Sequence, residues 1–178
     1  TPTYIRLARE KTPVMTTEET PFEIGKAQEV FRSEGKKQSP APLKLRRTSK
    51  EAKVDVGIIA TGALLHNALK AAQKLSKEGK SVVVLNVHTI KPLDEHAIID
   101  LAHETNALVT VEEHQIIGGL GSAVAECLSA HFPTPIEFVG IKDRFGQSGK
   151  PDELISEYGM DEKAIYEAVH KVLLRKLS

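Results

Sequence analysis

Residues 54–75 read VDVGIIATGALLHNALKAAQKL, and the fold follows from the change of period inside this stretch. VDVGIIA (54–60) is β-branched and apolar, the composition of a strand buried on both faces. After Thr61-Gly62 the spacing changes. Leu65, Ala68, Leu69 and Ala72 fall at i, i+3, i+4 and i+7, which is one face of a helix. Glu78-Gly79-Lys80 ends that helix with glycine in the usual C′ position, and SVVVLNV (81–87) is again a buried-type strand.

The same alternation continues outward. In Ile90-Lys-Pro-Leu-Asp94 the proline cannot prolong a strand and the aspartate caps the helix EHAIIDLAHET, which ends near Asn106. ALVTVEE (107–113) is a third strand, GGLG starts a helix reaching about Ala130, and Pro133-Thr-Pro135 breaks it. IEFVGI (136–141) is a fourth strand. Pro151 opens a helix that stops at Gly159, and Asp161 caps a last one with the stripe Ile165, Ala168, Val169, Val172 and Leu173. Strands separated by helices imply a three-layer α/β/α fold around a mostly parallel sheet.

The first 53 residues are different in kind. TYIRLA (3–8) and AQEVFR (27–32) are strand-like, and the Thr- and Pro-rich segment 10–25 lies between them. SEGKKQSPAPLKLRRTSKEAK (33–53) is basic and Pro-containing. It offers no aromatic residue to stack a base, so it reads as a solvated linker. The chain of 178 residues is long enough for one core. Lys+Arg and Asp+Glu balance at 24 each, which gives no charge signal for nucleic acid or an anionic membrane. The single Cys127 excludes an intramolecular disulfide and a cysteine-rich metal site. No apolar run approaches the ~20 residues that span a bilayer, and a cytoplasmic protein is expected. The opening TPTYIRLARE lacks an initiator Met and points to a portion of a longer polypeptide.

Three stretches carry residues suited to chemistry. Gly119-Leu-Gly121-Ser-Ala-Val124 approximates a dinucleotide fingerprint, but valine replaces the third glycine and four residues separate the acidic strand end from Gly118. Glu137 has the separation of a ribose-binding acid yet stands near the start of its strand. Tight packing is the better reading, with an anion at the helix N-terminus the other. Glu112, Glu113 and His114 have the residue types for general acid–base work at a strand's carboxyl end, yet no nucleophile accompanies them. They are read as a polar cluster that holds neighbouring loops or a partner subunit. In KDRFGQSGKPDEL (142–154), Arg144 and Ser148 could hold a phosphate; a turn fixed by an Asp143–Arg144 pair and a serine cap is the simpler account. The seven histidines show no i, i+4 pair, so a metal site is not expected.

Taken together, YIRLARE (4–10), PFEIGKA (21–27), IIATGALLHNALKAA (58–72), TIKPLD (89–94), TVEEHQIIGGLGSAVAE (110–126) and DRFGQSGKPDELISEYGM (143–160) resemble the carboxyl-terminal portion of a transketolase, over nearly the whole chain and in the family's order. DRFG-x-SG before a helix ending in YG is fairly specific to transketolase. The ATG and EEH elements are also similar to deoxyxylulose-phosphate synthase and to β subunits of 2-oxoacid dehydrogenases. The resemblance implies a five-stranded sheet with one antiparallel edge strand, AQEVFR. It divides the chain into an exit from a preceding pyrimidine-binding domain (1–20), the edge strand with an inserted loop (21–53), and the C-terminal α/β domain (54–178). It also implies thiamine diphosphate and Mg²⁺ for the complete enzyme, held by preceding domains in a homodimer and not by this chain. The family's diphosphate motif is absent from the sequence, so no catalytic residue is expected in this chain. Arg9 corresponds to the arginine that binds the substrate's phosphate, and a guanidinium suits that dianion as a planar, permanently charged donor pair. About seventeen residues, roughly Lys36 to Ala52, are inserted relative to the family's short turn. A free-standing dimerisation or regulatory module is the rival expectation.

Overall fold

The structure, a computed structural model, describes residues 11–33 and 54–176. The strand expected at 3–8, Arg9 and the insertion at 36–52 lie outside the described residues. Within them, chain order runs β1 (Gln28–Ser33), β2 (Val56–Ala60), α1 (Leu65–Lys77), β3 (Val82–Asn86), α2 (Glu95–Thr105), β4 (Leu108–Gln115), α3 (Leu120–His131), β5 (Ile136–Ile141), α4 (Pro151–Glu157) and α5 (Glu162–Lys176).

The strands form one sheet in the order β1-β3-β2-β4-β5. β2 pairs in parallel with β3 and β4, and β4 in parallel with β5, while β1 runs antiparallel to β3 with an irregularity between Glu29 and Phe31. The fold class expected from the sequence is therefore the fold observed. Every residue of β2 and β3 is buried, because both faces of the central strands are covered. On one face α1 and α5 pack Leu65, Ala68, Leu75, Ile165, Val169 and Val172 against Ile58, Val84 and Val109. On the other, α2 and α3 pack Ile98, Leu101, Val124 and Leu128 against Ile59, Val83 and Leu108.

Local signals behave as their chemistry requires. Asp161 Oδ1 accepts from Ala164 N at the start of α5, and Gly79 takes φ 89° after α1. A short 3-10 turn, Gly62–Leu64, precedes α1, and β4 runs two residues beyond the expected end at Glu113.

Asp94 has a second task that the sequence did not reveal. Its Oδ1 accepts from Ala97 N at 3.2 Å, capping α2, and its Oδ2 accepts from Ala27 N at 2.9 Å. Gly25 N donates to Thr89 Oγ1, His88 Nε2 bonds Glu23 O, and the Phe22 and His88 rings stack at 4.7 Å. PFEIGKA is thereby pinned onto the loop between β3 and α2. Asp94→Ala is expected to cost about 2 kcal/mol, combining a lost cap with a lost hydrogen bond. Thermal unfolding checks this, and an unchanged Tm would mean that neither bond contributes.

Candidate functional site at the carboxyl edge of the sheet

In an open α/β sheet, ligands favour the crevice at the carboxyl ends of strands where the connections reverse direction. Here that point lies between β2, whose connection through α1 leads to β3, and β4, whose connection through α3 leads to β5 on the other side. The glycine-rich stretch after β4 stands at this place.

It is already filled from within the chain. Glu112, only 1% exposed, turns its carboxylate onto the first turn of α3. Oε2 accepts from Leu120 N at 2.7 Å and Oε1 accepts from Gly121 N at 2.8 Å. Two amides that a helix N-terminus leaves without partners are satisfied, and the negative group sits at the positive end of the helix dipole. The neighbouring glycines make room for it. A Cβ on Gly119 would lie 2.0 Å from Glu112 Oε2, and one on Gly121 would lie 2.6 Å from Phe138 Cδ1 and 2.9 Å from Thr110 Oγ1. The Thr110 hydroxyl is buried with no hydrogen-bond partner among the described residues.

The other residues singled out in the sequence do not converge on Glu112. Glu113 and His114 are exposed, and His114 Nδ1 lies 3.0 Å from Gln115 O. The structure thus separates EEH into one buried carboxylate and two surface groups; alternation along the strand turns Glu113 away from Glu112, and His114 is exposed near the end of β4. The turn at 142–149 is held differently from the expected Asp143–Arg144 pair. Asp143, at φ 48°, donates its backbone N–H to Gln115 Oε1 at 2.9 Å. Arg144 pairs instead with Glu157 at 3.5 Å and lies over the Tyr158 ring. The residue before α4 is Lys150, not a capping serine. Tyr158 Oη donates to Phe145 O at 2.8 Å. Gln115 was missed in the sequence, where a glutamine closing a strand carries no distinctive signal.

Thiamine diphosphate does not fit this place. A diphosphate would meet the Glu112 carboxylate, of the same sign, on the very amides it would need. Among the described residues no group of three or more His, Cys, Asp or Glu side chains is arranged to hold a metal ion. No helix among them is long and apolar enough to cross a membrane.

The profile of the family described as Transketolase, C-terminal domain, matches residues 46–165. The chain belongs to this family. Several relatives carry transketolase names. The chain is 41% identical over 175 residues to the 6-deoxy-6-sulfo-D-fructose transketolase subunit SqwH of Clostridium sp. (strain MSTE9), covering 98% of this chain and 48% of that one. It is 37% identical over 167 residues to a putative transketolase C-terminal section of Methanocaldococcus jannaschii, covering 92% of this chain and 46% of the relative. Among solved structures, a split gene transketolase in the form of an inactive beta4 tetramer superposes with a TM-score of 0.79 at 36% identity, over 94% of this chain and 48% of that one. The chain therefore spans about half the length of each of these three transketolase relatives.

Proposed function

We propose that the chain is the C-terminal portion of a transketolase, an enzyme that moves a two-carbon ketol unit from a ketose phosphate to an aldose phosphate. Thiamine diphosphate and Mg²⁺ belong to the sections that precede it, and the complete enzyme is a homodimer or an assembly of separate subunits. The observation that carries the reading is the match of 98% of this chain to 48% of a transketolase subunit. The domain's own part is structural, because Glu112 closes the glycine-rich start of α3. Residues 1–20 are assigned to the preceding domain, and Arg9 within them to the substrate's phosphate.

Arg9→Ala in the complete enzyme is expected to lower kcat/KM for phosphorylated sugars by about tenfold to a hundredfold, mainly through KM, from the loss of about 1.5–3 kcal/mol of charge-assisted hydrogen bonding. Steady-state kinetics with phosphorylated and free sugars decides it, and unchanged KM for both would remove Arg9 from the site. A second reading has its own support in the Clostridium relative, whose name specifies a sulfonated ketose. Arg9 would then meet a sulfonate, and a higher kcat/KM for the sulfonated than for the phosphorylated ketose would select this reading.

A further inference from the structure

Four of the most exposed large apolar side chains among the described residues stand at one edge of the sheet. Phe145 is 99% exposed, Ile117 76%, Phe22 70% and Ile24 67%. Ile117 follows the end of β4 and Phe145 the end of β5, while Phe22 and Ile24 lie on the segment pinned to the loop that follows β3. β2 to β5 are parallel, so all four side chains stand at the carboxyl edge of the sheet.

The backbone beneath these side chains is fixed. Asp143 N donates to Gln115 Oε1, so Ile117 and Phe145 each follow a bonded partner by two residues. Tyr158 Oη holds the carbonyl of Phe145 itself. Gly25 N and Ala27 N are held by Thr89 and Asp94. Large apolar groups displayed from hydrogen-bonded backbone are what a preformed protein interface offers. They do not suit a sugar phosphate, and the amides that would bind an anion at this edge are taken by Glu112.

We propose that this edge, from Phe145 beyond β5 to Phe22 and Ile24 beside the loop after β3, is the surface on which the remaining section of the same transketolase docks. The occupant follows from two observations. The Clostridium and Methanocaldococcus relatives are about twice the length of this chain, and the segment bearing Phe22 and Ile24 joins this same edge to the residues assigned to the preceding domain. The proposal rests on the functional reading above and adds the surface that joins the two parts.

Hydroxyl-radical oxidation read by mass spectrometry tests it, on the complete enzyme and on the 178-residue chain side by side. The expected result is loss of oxidation at Phe145 and Ile117 in the complete enzyme only. Leu174, exposed near the opposite edge where Lys176 Nζ bonds Asp55 O, serves as the reference. Equal oxidation of Phe145 in both samples, in an enzyme that still transfers ketol units, would overturn the docking surface and leave the function standing. Protection that develops in the isolated chain as its concentration rises would overturn it in favour of a second copy. A native chain of 19.5 kDa that binds no further section in the source cell would remove the functional reading first.

Discussion

Glu112→Ala is expected to destabilise the domain by about 3 kcal/mol, since each buried amide left without an acceptor costs about 1–3 kcal/mol. The two amides in question are those of Leu120 and Gly121, and the carboxylate that serves them is almost wholly buried. Glu112→Gln should lose about half as much. The amide keeps one acceptor oxygen but turns an NH₂ towards the second backbone N–H. Urea unfolding followed by circular dichroism would show a lower midpoint at unchanged slope. A loss below about 0.5 kcal/mol, typical of an ordinary surface change, would mean that Glu112 does not hold α3. The glutamine variant also separates structure from chemistry. A general base would lose activity with stability intact, whereas a structural carboxylate loses stability first.

Gly119→Ala is expected to cost about 3 kcal/mol, at the upper end of overpacking penalties. Its Cβ would lie 2.0 Å from Glu112 Oε2 and 2.7 Å from the carbonyl oxygen of Gln115, and that second obstacle is backbone. The backbone at Gly119 has φ −98°, so the penalty comes from space and not from conformation. The double variant Glu112→Ala/Gly119→Ala removes one obstacle and leaves the other. It should fall short of the summed single losses by about 1–2 kcal/mol, the coupling expected of residues in contact. Full additivity in the same unfolding assay would show that the glycine is not there for the carboxylate.

The fold was legible because its signals are local. β-branched runs, helical stripes, Gly79, Asp94 and Asp161 each act through neighbours a few residues away. The site was legible only in part, because its decisive contacts join residues from separate elements. The sequence placed acids before a glycine loop, but only the folded chain shows Glu112 reaching the amides of α3 while Glu113 and His114 face outward. The partners of Arg144 and Asp143 likewise lie on α4 and β4, where reading adjacent residues as a pair misassigns both. Asp94 illustrates the same limit. Its cap is a matter of three residues, whereas its bond to Ala27 joins positions 67 residues apart.

The position of β1 also bears on how the domain is made. β1 is synthesised before every other strand of the sheet, yet its one partner, β3, comes only after β2 and α1. β2 likewise receives both its neighbours, β3 and β4, from later parts of the chain, so the sheet grows outward from β2 as a nascent chain lengthens. During that interval QEVFRS is an unpaired strand, open to pairing with another chain. Glu29 and Arg32, charged and partly exposed even in the finished sheet, are the kind of residues that discourage such pairing. An edge strand that is made first is thus protected by charge until β3 arrives.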